Sequence, residues 1–181
     1  MEMDEQDNGK FQVIDAVGED AQGISDLLWE TWLATYPNAE AGITKEDIDA
    51  KYASPEWKAG TEKRRSSINS HANEHTWIIK DGERVVGMCA GVKEDDKNWL
   101  QALYVSPDYQ KKGLGKKLME VGLEWLGNEK PIMIHAASYN KNAIDFYKSF
   151  GFSESGIPID PSDLSRLPSG VSIPEVELKR I

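Results

Sequence analysis

The run Leu103-Tyr104-Val105-Ser106-Pro107-Asp108-Tyr109-Gln110-Lys111-Lys112-Gly113-Leu114-Gly115 constrains the fold more than any other segment. Its apolar start reads as a strand. A helix opens at Gly113 and reaches Leu126, with Leu114, Leu118, Val121 and Trp125 at helical spacing. The first amides of a helix lack internal partners and carry partial positive charge, so this strand, turn and helix can bind an anion. Gly113 and Gly115 carry no Cβ to hold a ligand off the backbone. Lys111, Lys112, Lys116 and Lys117 crowd the same turn in a chain whose formal net charge is -10. A local basic cluster in an acidic chain marks a place for an anionic group. Two other phosphate motifs do not fit. The P-loop pattern G-x-x-x-x-G-K-[ST] is absent, and Leu118 stands where a dinucleotide fingerprint needs its third glycine.

A second signature follows: Asn140-Lys141-Asn142-Ala143-Ile144-Asp145-Phe146-Tyr147-Lys148-Ser149-Phe150-Gly151-Phe152. It reads as a helix from Asn140 to Phe150 that Gly151 ends. Asn140, Ala143 and Tyr147 stand at i, i+3 and i+7, hence on one face. Pro131 to Ala136, just before it, reads as a buried parallel strand.

Together the two signatures resemble the GNAT superfamily of acetyl-CoA-dependent N-acetyltransferases. The resemblance implies an α/β (α+β) fold with a mixed, mainly antiparallel sheet of about six to seven strands flanked by about four helices. It implies a single domain over residues 11–181 after a flexible N-terminus, residues 1–10. It also assigns roles. The amides of Lys112, Gly113, Leu114, Gly115 and Lys116 would hold the coenzyme A pyrophosphate, with Gln110 and Lys111 at the rim. Leu103, Tyr104 and Val105 would form a bulged strand that pairs with the pantetheine arm, and the Val105 amide would meet the oxyanion. Asn140, Ala143 and Phe146 would line the coenzyme, and Tyr147 would face its sulfur as the catalytic phenol. Acetyl-CoA is then a cosubstrate, no metal takes part, and an amine attacks the thioester directly.

One position departs from the family. Gln101 stands on the strand where many relatives carry a glutamate base, and an amide accepts no proton usefully. Glu30, Glu74, His75, the Asp95–Asp96 turn and His135 are the candidate bases. The same departure keeps open a second reading, a domain that senses acetyl-CoA without turnover.

The remaining sequence sets bounds. Cys89 is the single cysteine, which excludes an intrachain disulfide and a multi-cysteine zinc site and suits a reducing cytoplasm. The acidic start Met1-Glu2-Met3-Asp4-Glu5-Gln6-Asp7 is not a secretory signal, and no apolar run approaches the roughly 20 residues of a membrane span. The acidic balance argues against nucleic acid and favours cationic partners such as a small-molecule or peptide amine. The resemblance puts the acceptor near Trp29, Trp32, Tyr36, Tyr52 and Trp57.

Before the first signature, residues 11–16 read as a strand and Asp20 to Tyr36 as a helix. Thr44 caps a short helix to about Ala53, and Pro55 opens another that reaches Ser70. Residues 75–80, 84–90 and 99–105 form a meander turned at Asp81-Gly82 and Asp95–Asn98. Residues 153–174 read as an extended loop. Residues 175–180 read as an edge strand, which invites pairing with a second copy as a homodimer.

Overall fold

The computed structural model describes residues 11–159 and 166–181. The expected flexible terminus, residues 1–10, and part of the 153–174 loop lie outside the described residues. One seven-stranded sheet organises the chain. Its strands are β1 (Val13–Asp15), β2 (Glu74–Asp81), β3 (Arg84–Lys93), β4 (Asn98–Val105), β5 (Ile132–Ala137), β6 (Ser153–Glu154) and β7 (Glu175–Arg180), in the order β1-β2-β3-β4-β5-β7-β6. Only β4 and β5 run parallel; every other neighbouring pair is antiparallel. The mixed, mainly antiparallel sheet is the expected one.

The described residues form five α-helices, one more than the expected four: α1 (Ala21–Thr35), α2 (Lys45–Ala53), α3 (Pro55–Ser67), α4 (Leu114–Leu126) and α5 (Lys141–Ser149). Thr44 caps α2 in the expected capping box: its hydroxyl accepts from the Asp47 amide at 3.1 Å, and the Asp47 carboxylate accepts from the Thr44 amide at 3.0 Å. Helix α4 packs Leu114, Leu118, Met119 and Leu126 on one face of the sheet, in a core shared with α5 through Ile144 and Tyr147. Helix α1 packs Ile24 and Leu27 on the opposite face against Ile78, Val85 and Met88.

Three boundaries differ from expectation, each for a local reason. Helix α3 stops at Ser67 rather than Ser70, because Asn69 adopts φ 56° and ties Ala16 and Thr76 together through its amide. Strand β3 runs on to Lys93, because β2 and β4 supply partners along its whole length. Strand β7 is not the sheet edge. The short β6, inside the segment expected to be a loop, pairs Ser153 with Lys179 and Glu154 with Leu178.

Candidate active site

Strands β4 and β5 touch at one end only. Their register holds Asn98 to Ile132 and Trp99 to Met133, and no further pair forms. Past Met133 the two strands part into a wedge. Strand β5 stays in the sheet because β7 pairs with it from Ile132 to Ala137.

Strand β4 carries a bulge at the mouth of this wedge. Ala90 pairs with Ala102 but Gly91 pairs with Leu100, so Gln101 is the extra residue and is exposed. Beyond the bulge the main chain alternates. The Ser106 amide donates to the Val86 carbonyl at 2.9 Å, which makes Val105 and Gly87 a non-hydrogen-bonded pair. Leu103 and Val105 therefore turn their N–H and C=O groups away from β3, into the wedge. Gln110 Nε2 reaches the Val105 carbonyl from that side at 3.2 Å. Tyr104 turns the other way: its main chain faces β3, and its hydroxyl lies 3.1 Å from that of Tyr36.

The glycine turn follows. Gly113 caps α4 with φ 81° and no side-chain cap, and the first internal bond of the helix is Lys117 N–H to the Gly113 carbonyl at 3.1 Å. The amides of Gly113, Leu114, Gly115 and Lys116 precede that bond and lack helical acceptors. A Cβ on Gly113 would meet nothing within 4 Å, so the space beside it is open. Gly115 differs. A Cβ there would lie 3.6 Å from Phe146 Cζ and 3.8 Å from Val105 Cγ2, so this glycine packs the turn rather than clearing a path. The lysines are partly engaged: Lys112 lies over the Tyr109 ring, Lys116 pairs with Glu120, and Lys117 donates to the Phe11 carbonyl. The cradle fits a diphosphate.

Helix α5 closes the other side. Asn140 caps it by accepting from the Ala143 amide at 3.2 Å. Ala143 and Phe146 pack against the core, and Tyr147 is 6% exposed. Burial, then the neighbouring Tyr104 and Cys89, holds the Tyr147 phenol well above its ordinary pKa. Among the described residues no group hydrogen-bonds its hydroxyl. The phenol is therefore neutral and can still donate. Burial also pushes the Cys89 thiol up to about 12, which removes it as a nucleophile at neutral pH.

On the α1 face, Trp29, Trp32, Tyr36, Tyr52 and Trp57 do gather, with neighbouring ring centroids 5.0 to 5.9 Å apart. Most of their polar ends are occupied. Trp29 Nε1 donates to Asp49, Trp57 Nε1 to Ser25 and Tyr52 to Asp26, so much of this wall is packing. Of the candidate bases, Glu30 is bound by Arg84 and Ser106. His75 pairs with Asp15 and stacks on Trp77, on a strand separated from β5 by two others. Glu74, Asp95 and Asp96 are exposed. His135 lines an open cleft of about 420 Å³, shared with Glu94, Lys97, Trp99, Leu100 and Gln101. Sequence reasoning missed Glu175, which lies beside His135. Its only signal was the alternation of residues 175–180, which puts Glu175 and Glu177 on one face.

Fold, wedge and turn define a class. The Acetyltransferase (GNAT) family model matches residues 22–152, and the chain belongs to this family. Among individual proteins, it is similar to a spermine/spermidine N(1)-acetyltransferase of Bacillus subtilis (strain 168), with 33% identity over 81 residues covering 41% of this chain and 53% of that protein. A probable spermine N(1)-acetyltransferase of Bacillus subtilis subsp. natto matches to the same extent. The chain spans about half the length of these relatives. The fold is shared with the PaiA N-acetyltransferase of Thermoplasma acidophilum, solved with coenzyme A, at TM-score 0.71 and 16% identity over 94% of this chain and 98% of that one. It is shared also with the ribosomal-protein-S18-alanine N-acetyltransferase of Escherichia coli, at TM-score 0.63 and 16% identity over 94% and 92%.

Proposed function

We propose that the protein transfers an acetyl group from acetyl-CoA to a primary amine by direct attack, with a polyamine as the leading acceptor. The observation that carries this reading is the parted β4–β5 pair, whose Leu103 main-chain groups and Val105 N–H, turned away from β3, lead directly into the open turn at Gly113. Extended backbone with unpaired amides can bind a ligand that itself carries amides, as an added strand would. The amides of Lys112 to Lys116 would hold the diphosphate, and Gln110, Lys111, Asn140, Ala143 and Phe146 would border the coenzyme. When bound, acetyl-CoA supplies the thioester.

The chain then has three tasks. The Val105 N–H meets negative charge as it develops on the carbonyl oxygen. Tyr147 hydrogen-bonds the departing sulfur; its raised pKa makes it a donor and keeps it from becoming an anion. The acceptor must also lose a proton, because an alkyl ammonium of pKa ~10.4 costs about 4–5 kcal/mol to neutralise at about pH 7. Inert Cys89 agrees with direct attack rather than an acyl-enzyme. The curated relatives act on spermine by name, and an acidic surface attracts a polycation, so a polyamine suits this chain.

The test is thiol release from acetyl-CoA with spermine, spermidine, a lysine peptide and a peptide with N-terminal alanine. Turnover highest with a polyamine is expected. Coenzyme binding without thiol release for any amine would reject the reading.

A further inference from the structure

Glu175 stands one strand away from the parted β4–β5 pair. Counting from the Trp99–Met133 pair, and allowing one residue for the bulge at Gln101, Ala137 on β5 comes level with Tyr104 on β4. Glu175 pairs with Ala137 from the far side, so it sits beside the wedge at that level. Glu175 raises the pKa of Tyr36 just past α1, Tyr104 of β4 and Tyr139 after β5; Tyr147 raises that of Tyr36, and Tyr104 that of Tyr147. Tyr36, Tyr104 and Tyr139 are themselves linked, by the 3.1 Å approach of the Tyr36 and Tyr104 hydroxyls and by the 2.8 Å bond from the Tyr139 hydroxyl to the Tyr36 carbonyl.

The carboxylate is short of partners. Its side chain is 12% exposed, and the basic group beside it is His135, whose Nδ1 lies 3.8 Å away, beyond hydrogen-bond range. Glu177 Oε2 holds the other nitrogen of the same ring at 3.5 Å. Among the described residues no donor hydrogen-bonds Glu175. Partial enclosure raises the cost of its charge, which a cation or a proton relieves. His135, which shares a sheet face with Glu175 by register, also lines the cleft.

We propose that Glu175 receives the proton of the acceptor ammonium, with His135 beside its carboxylate on the β5 side. This rests on the acetyltransferase reading above. One N–H bond of the ammonium breaks and its proton passes to the Glu175 carboxylate. The freed lone pair forms the C–N bond as the C–S bond breaks. The sulfur leaves as coenzyme A thiol, taking one proton of the new amide nitrogen, and Glu175 returns its own to solvent. Burial holds the Glu175 carboxyl above its ordinary range while His135 opposes this, which makes the group a better acceptor than an exposed glutamate.

The experiment compares wild type, Glu175→Gln and Glu175→Asp with spermidine and acetyl-CoA over about pH 7 to 10. Without the base, rate follows free amine and rises about tenfold per pH unit up to the amine pKa. Glu175→Gln should lose about thirtyfold or more in kcat/KM near pH 7, and the deficit should close as pH rises. Coenzyme A affinity should stay within about threefold of wild type and Glu175→Asp should recover part of the rate. A deficit constant across pH, a loss under about threefold, or a parallel fall in coenzyme affinity would overturn the assignment. Should Glu175→Gln fail to fold, the pH dependence of Glu175→Asp decides by the same criteria. Wild type silent toward every amine overturns both this and the acetyltransferase reading; wild-type turnover with an unimpaired variant overturns this alone.

Discussion

Gly115 lies against Phe146: a Cβ built on the glycine would sit 3.6 Å from the ring. That contact joins the turn at the start of α4 to the helix that carries Tyr147, so the two halves of the site are one packed unit. It also separates the two glycines. Gly115→Ala makes only ordinary contacts and improves helix propensity by about 0.5–1 kcal/mol, so the melting temperature should hold or rise. Coenzyme A affinity should stay within about threefold. Gly113→Ala places a side chain at φ 81°, which costs about 1–2 kcal/mol, and puts a methyl group in the open cradle. Affinity there should fall about tenfold or more. Titration calorimetry on both variants checks the contrast.

Tyr147→Phe keeps the ring in the core and removes the donor. Turnover should fall by about tenfold or more, with coenzyme affinity little changed. Because the phenol is held well above its ordinary pKa, the wild-type profile should show no loss of a Tyr147 proton below about pH 10. Pre-steady-state thiol release isolates the chemical step and checks both statements.

Much of this site was legible in the sequence, since a helix start, glycines and one helical face are local facts. What lay hidden is non-local. The parting of β4 and β5 depends on how far β7 extends the pairing of β5. The orientation of Val105 and the turning away of Tyr104 follow from one bulge at Gln101, and no residue type announces it. Glu175 reads as an ordinary strand residue until the sheet order sets it beside His135. The aromatic wall was visible as composition, but the occupied ends of Trp29, Tyr52 and Trp57 were not.

Glu175 also predicts a stability effect with a definite sign. Its carboxyl pKa is raised in the folded protein, so its contribution is fully present below the unfolded value and is lost as pH rises through the folded one. Near neutral pH the buried charge opposes folding. Glu175→Gln should therefore melt at or above the wild-type temperature at about pH 7, and this advantage should vanish near pH 4. Thermal melts across that range decide; a variant less stable at neutral pH would contradict the sign.

Ser106 donates to Glu30 Oε1 at 2.9 Å, and Arg84 binds the same carboxylate at 3.0 Å. Ser106 is fully buried at the end of β4, so this network seats α1 on the strand that carries Val105. Ser106→Ala should cost about 1.5–3 kcal/mol, because the bond is to a charged group. Urea unfolding should show a lower midpoint with an unchanged slope.

Cys89 is buried, and its thiol is held up to about 12. Native protein should react with a thiol reagent only at the rate of global opening. Full labelling without loss of fold would contradict its placement between β3 and α4.

Main-chain groups of β4 and of the turn at Gly113 should grip coenzyme A. Amide NMR of isotope-labelled protein titrated with coenzyme A tests it most directly. The largest shifts should fall at Leu103, Val105 and Lys112 through Lys116, with Tyr104 much less affected. Saturable binding that leaves those amides unmoved and shifts another surface would contradict it.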